Sequence, residues 1–126
     1  MLWLIIACRG LAVNDVTSGE SEAYPELRSL YPTVSVSAAM KRARAVAAEM
    51  PGWTCEEPEP FELHCEVTTP TLGFVDDVWI TVEEYGPKVS RVKVRSASRV
   101  GRGDLGANAA RIRAFQEAYL SYSLEE

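Results

Sequence analysis

Gly73-Phe74-Val75-Asp76-Asp77-Val78-Trp79-Ile80-Thr81-Val82-Glu83 and Val89-Ser90-Arg91-Val92-Lys93-Val94-Arg95-Ser96-Ala97-Ser98 flank the turn signal Tyr85-Gly86-Pro87. The fold is decided by how these two runs fit together. Both alternate apolar and polar residues with period two, the pattern of strands with one buried face. In an antiparallel hairpin, pairing Val78 with Val94, Ile80 with Val92 and Val82 with Ser90 makes one face almost wholly apolar. The other face then sets Asp77 against Arg95, Trp79 against Lys93 and Thr81 against Arg91, which are favourable cross-strand neighbours. A slip of one residue would mix the two faces, so the parity of the register is fixed by the sequence.

Working outward, Trp53–Glu57 and Phe61–Thr68 read as two further strands joined by Pro58-Glu59-Pro60. Ser37 is placed to cap a helix whose apolar positions Met40, Ala43, Ala47 and Met50 recur at helical spacing, with Lys41, Arg42 and Arg44 mostly outward. Pro51-Gly52 ends it. Asp104 is expected as the N-cap of a second helix from Leu105 to about Leu120, with a stripe of Leu105, Ala109, Ile112, Phe115 or Gln116, and Tyr119. The expectation is an α+β fold: a four-stranded, possibly five-stranded, antiparallel sheet with two helices packed on one face, in the order α-β-β-β-β-α. The domain is expected over 37–120, after an apolar leader at 1–13 and an extended connector at 14–36, with a tail at 121–126.

The chain has 126 residues and a formal charge of −5, and 47% of it is hydrophobic. That is enough for one core, too little for two lobes around a large cleft, and too apolar for wholesale disorder. Charge is segregated. Residues 45–87 hold ten acids and no Lys or Arg, whereas 88–113 hold eight Lys and Arg against one Asp. Acidic and basic blocks that neighbour one another in a sheet cancel, and this argues against nucleic acid as a partner. The basic row of Arg91, Lys93 and Arg95 beside Trp79 invites comparison with single-strand stacking platforms, but one aromatic is a thin basis for one.

Leu2-Trp3-Leu4-Ile5-Ile6-Ala7 is continuously apolar yet far shorter than a membrane-spanning helix. It reads as the end of a longer membrane helix, as a lipoprotein-type box Ile5-Ile6-Ala7-Cys8, or as a buried or frayed strand. An extracytoplasmic, membrane-tethered location is favoured over a cytoplasmic one. Cys55 and Cys65 fall on the two strands flanking Pro58-Glu59-Pro60. They are either disulfide partners in a favourable register or, the plainer reading, two small buried hydrophobes. No metal site is expected, since only His64 could assist and alternation puts it on the other face. No cofactor motif is present.

The candidate chemistry lies between Arg95 and Asn108. This stretch gathers Ser96, Ser98, Arg99, Arg102, Asp104 and Asn108 at a helix N-terminus, where backbone N–H groups favour an anion. Asp76 falls on the apolar face and needs a partner, for which Arg99, Ser96 and Ser98 are the nearest candidates. Asp76, Asp77, Arg95, Ser96, Ser98, Arg99, Arg102, Asp104 and Asn108 are therefore the expected ligand-binding residues. An alternative makes Asp76 or Asp77 an acid or base, with Arg95 and Arg99 stabilising negative charge. A second alternative makes the whole motif a folding determinant. Serine hydrolysis is poorly supported because the single His64 lies away from Ser96 and Ser98, and Arg102-Gly103-Asp104 is a chance adhesion tripeptide.

Gly73-Phe74-Val75-Asp76-Asp77-Val78, Val94 to Gly101, Asp104-Leu105-Gly106, Asn108 and Arg111-Ile112 together resemble the family catalogued as domain of unknown function 1499. The resemblance runs from about Asn14, where Asn14-Asp15-Val16-Thr17 is similar to the opening of the domain in longer members, to about Tyr119. One departure is Gly103, where the resemblance leads one to expect Ser, Thr or a similar small polar residue in many relatives. Longer bacterial members look like membrane-helix segments followed by this domain, so the resemblance implies that Met1–Ala7 is an anchor remnant. It implies no activity. The expected role is a non-enzymatic binding module near a bacterial membrane, with an anionic small molecule, a lipid headgroup or a membrane protein as partner.

Overall fold

The computed structural model describes residues 14–70, 73–100 and 106–123. In chain order the elements are β1 (Asp15–Thr17), α1 (Val36–Glu49), β2 (Trp53–Glu59), β3 (Glu62–Thr68), β4 (Val75–Gly86), β5 (Val89–Ser98) and α2 (Ala107–Ser121). The strands form one antiparallel sheet in the order β1-β5-β4-β3-β2, with both helices on one face. The α+β expectation holds, and the fifth strand is β1, within the stretch expected as an extended connector. Its Val16 is fully buried and pairs with Ser96, so this stretch contributes to the core.

The parity of the β4–β5 register is as expected, but its value differs by two residues. Val78 lies opposite Ser96, Ile80 opposite Val94 and Val82 opposite Val92, while Trp79 faces Arg95, Thr81 faces Lys93 and Glu83 faces Arg91. The cause is the turn. Gly86 pairs with Val89, so the chain reverses at Pro87-Lys88 instead of around Gly86, with Lys88 in the left-handed region at φ 59° and an irregularity between Glu84 and Gly86. Proline's fixed φ suits the first central position of such a turn. The β2–β3 hairpin likewise turns one residue later than expected, at Pro60-Phe61, because Pro58 and Glu59 extend β2. An edge strand tolerates that proline.

The helix starts also differ. Ser35, not Ser37, is the N-cap of α1, accepting a hydrogen bond from the Ala38 N–H at 3.1 Å. Gly106, with φ 87°, is the N-cap of α2, so the helix begins at Ala107 and not at Leu105. The expected cap Asp104 lies outside the described residues, as does Leu105. The buried positions of α1 (Ala39, Met40, Ala43, Val46, Ala47) and α2 (Asn108, Ala109, Ile112, Phe115, Tyr119) recur at helical spacing and face the sheet's apolar side. Arg42 donates to the carbonyls of Tyr119 and Tyr122, joining α1 to the end of α2. Cys55 and Cys65 are directly opposite and form a disulfide, so the plainer reading of two small buried hydrophobes is set aside. Among the described residues, no helix is long and apolar enough to cross a membrane.

Candidate functional site

Successive side chains on a strand point to opposite faces, so Asp76 and Asp77 are separated by the sheet itself. Asp76 is on the helix side, 5% exposed, with Val67 opposite it on β3. Its partner is Arg111 of α2, whose Nη2 lies 2.8 Å from Asp76 Oδ2. The expected partners were Arg99, Ser96 and Ser98. Arg99 is ruled out because its guanidinium is on the other face, and Arg111 reaches Asp76 because α2 crosses the end of β5 at Ser96.

The same Arg111 donates through Nη1 to Ser96 Oγ (3.1 Å) and Asn108 Oδ1 (2.8 Å). Ser96 Oγ donates to Asn108 Oδ1 at 2.6 Å, and Asn108 Nδ2 donates to Ser98 Oγ (2.9 Å) and to the Asn14 carbonyl (3.2 Å). This network ties β1, β4, β5 and α2 together beneath the sheet. Among the described residues, every buried side-chain polar atom has a hydrogen-bond partner. Four of the expected ligand residues, Asp76, Ser96, Ser98 and Asn108, thus meet one another, with Arg111 as the member the site reading missed. The signal for it was available in the position of Arg111 one turn beyond Asn108, on the face of α2 adjoining the sheet.

On the outer face Arg99 forks onto Asp77, with Nε 2.8 Å from Oδ2 and Nη2 2.8 Å from Oδ1, and Nη2 also donates to Glu66 at 2.7 Å. His64 Nε2 lies 2.7 Å from Asp77 Oδ1. The Arg99 hydrogen bonds, against an opposing effect of burial and with help from His64, hold the Asp77 carboxyl below its ordinary value of 3.8. Arg95 pairs bidentately with Asp15 at 3.0 and 2.8 Å, and its guanidinium carbon sits 4.4 Å from the centroid of the Trp79 ring. His64 stacks against the same indole at 5.4 Å. Arg102 and Asp104 lie outside the described residues. Asp77, Arg95 and Arg99 therefore share the outer face, and the structure does not bring them together with Asp76.

A cleft of about 310 Å³ opens on this outer face, lined by Thr17, Glu20, Glu62, Trp79, Thr81, Lys93 and Arg95. Lys93 Nζ lies 3.0 Å from Glu20 Oε2. Of these residues sequence reasoning selected only Arg95 as a binding residue. Trp79, Thr81, Lys93 and Arg95 were already grouped on one face as a possible stacking platform, and the wall formed by Thr17 and Glu20 was missed because that stretch was expected to be an extended connector. Among the described residues no cluster of His, Cys, Asp and Glu has the arrangement of a metal site. A family model described as protein of unknown function (DUF1499) matches residues 11–119. No curated protein matches the chain.

Proposed function

The chain belongs to the DUF1499 family, and we propose that it is a non-enzymatic binding module, held near a membrane, that takes a small anionic ligand in the cleft over Trp79. The observation that carries this reading is the pairing state of the two cations in that cleft. Lys93 and Arg95 are neutralised by Glu20 and Asp15, whose side chains are 61% and 46% exposed. Exposed pairs of this kind contribute only about 0–1 kcal/mol, so a ligand carboxylate or phosphate replaces either acid at small cost. Arg95 then offers the same two-pronged geometry that it presents to Asp15. The indole of Trp79 supplies an apolar wall, while Thr17, Thr81 and Glu62 favour a ligand that also carries hydroxyl or amine groups.

Isothermal titration of the full chain with inorganic phosphate, citrate and glycerol 3-phosphate at low ionic strength tests this. Saturable binding of at least one probe is expected, weakened about tenfold or more in Lys93→Gln/Arg95→Gln, a difference of about 1.4 kcal/mol. Indistinguishable isotherms for the two proteins contradict the reading. For the inner residues alone a second reading is favoured by their closed hydrogen-bond network: Asp76, Ser96, Ser98, Asn108 and Arg111 act as a folding determinant. Substitution there is expected to lower stability without changing ligand affinity in the fraction that remains folded.

A further inference from the structure

We infer that the open edge of β2, over Trp53–Glu56, receives an extended peptide strand that sets an apolar side chain on the helix side of the sheet and Lys or Arg side chains on the outer side. The chain treats the two edges of its sheet differently. Along β5 every second residue turns its backbone toward the edge, and the N-terminal segment answers each in turn. The Ser98 N–H donates to the Asn14 carbonyl, Ser96 pairs with Val16, the Val94 carbonyl accepts from Ser18, Val92 exchanges both bonds with Leu30, and the Ser90 N–H donates to Pro32. At the opposite edge β2 pairs with β3, and among the described residues no segment lies along its other side.

The parity of the β2–β3 ladder shows which backbone groups face out. The Thr68 N–H donates to the Gly52 carbonyl at 3.1 Å, so the even positions of β2 exchange bonds with β3 and the odd positions turn away from it. Cys55 and Cys65 agree, for their Cα atoms are 3.9 Å apart, the close spacing of a non-hydrogen-bonded pair. The Trp53 N–H is taken by the Met50 carbonyl. The Trp53 carbonyl and both backbone groups of Cys55 are thus directed to the open side, where an added strand is bonded through its main chain. Past Glu56 the bulge and Pro58 end the regular ladder.

A residue of the added strand opposite Cys55 shares its face. On that face, between β2 and α1, lies a cleft of about 300 Å³ whose walls include Arg44, Ala48, Trp53, Cys55 and Leu63. Ala48, Trp53 and Leu63 make it a seat for one apolar side chain. The residues on either side of that one point to the other face, opposite Thr54 and Glu56. Glu56 is 77% exposed and lies 3.8 Å from Nδ1 of His64, a ring already bonded to Asp77. The wider charge balance agrees. β2 carries Glu56, Glu57 and Glu59 and no cation, β3 adds Glu62 and Glu66, and the exposed positions of α1 add Lys41, Arg44 and Glu49. Arg44 answers Glu57 and Arg99 answers Glu66, but Glu59 and Glu62 stand directly opposite each other, a repulsive pair. A cationic strand relieves that repulsion, whereas a second copy of this acidic edge adds to it.

The test is fluorescence anisotropy of the labelled peptide Thr-Lys-Leu-Lys-Thr, titrated at low ionic strength with the full chain, its disulfide intact. Saturable binding is expected, weakened about tenfold or more by methylation of the leucine nitrogen, the group that donates to the Cys55 carbonyl. A similar loss is expected when glutamates replace the two lysines, and in Ala48→Phe, which fills the cleft from an exposed helix position with the melting temperature unchanged. Citrate binding at the Trp79 cleft is expected to be the same in Ala48→Phe as in the wild type. Absence of saturable binding, or equal binding of the methylated or acidic peptide, overturns the proposal, as does full binding by Ala48→Phe. A dimer at sedimentation equilibrium that dissociates in Ala48→Phe would assign the edge to a second copy and overturn it as well.

Discussion

Asp76 and Asp77 are adjacent carboxylates, each held by an arginine at 2.8 Å, yet the arginine on the helix side is 13% exposed and the one on the outer face 43%. Asp76 is sealed between sheet and α2 in a network with no open polar atom, and its arginine comes from the helix. Asp77 lies on the open face, where its arginine also reaches Glu66 and its second partner is His64. The difference teaches that one step along a strand converts the same ion-pair chemistry from a structural tie into part of a recognition surface. Loss of the inner pair strands two buried groups, whereas on the outer face the arginine at least remains in contact with water.

The sharpest way to break the comparison is to remove one arginine from each face. Arg111→Ala strands Asp76 beneath the helix and removes a donor from Ser96 and Asn108, and it is expected to cost about 3–5 kcal/mol in chemical denaturation. A cost at Arg111 no larger than that of Arg99→Ala would erase the distinction between the faces. Next in size, reduction of the Cys55–Cys65 disulfide, which closes a short hairpin at the sheet edge, is expected to lower stability by about 2–3 kcal/mol. Unchanged denaturation midpoints with and without reductant would show that β2 is held by its side-chain packing alone.

A smaller effect belongs to Asp77, and it carries a pH signature. Its folded-state value lies below the ordinary 3.8, chiefly through the Arg99 hydrogen bonds. The unfolded chain therefore takes up the proton first as pH falls. The stability this group contributes is fully present above the unfolded value and is lost as pH drops through the lowered folded value. Asp77→Asn is thus expected to melt a few degrees below wild type at pH 7, with the gap closing as acid protonates the wild-type carboxyl. A gap that stays constant down to the acid transition would assign the loss to packing instead.

Much of this arrangement is legible in the sequence, because period-two alternation splits 74–98 into two faces before any coordinates are known. That reasoning finds the buried character of Asp76, the charged face around Trp79 and the parity of the hairpin. It does not find the register value, since Tyr85-Gly86-Pro87 signals a turn without saying whether Gly86 or Pro87-Lys88 is its centre. The two-residue shift that follows moves Arg95 from Asp77 to Trp79, while the cleft wall formed by Thr17 and Glu20 escapes because β1 lies in a stretch that reads as connector. Arg111 escapes for another reason. A helix crossing a sheet brings together residues whose meeting depends on the crossing angle and start of the helix, and the start at Ala107 differs from that expected at Leu105. The cap at Ser35 instead of Ser37 is a local ambiguity between two serines two residues apart, decided by the Ala38 N–H, which bonds to Ser35 Oγ.

The central claim is that the outer face binds and the inner face holds. It is tested most directly by following the indole Nε1–H resonance of Trp79 in the full chain as citrate or glycerol 3-phosphate is added. Trp53, stacked on Phe115 on the helix side, serves as an internal reference. The account predicts a saturable shift at Trp79, none at Trp53, and loss of the Trp79 shift in Lys93→Gln/Arg95→Gln. A Trp79 resonance that does not move, or that moves equally in the variant, would contradict it.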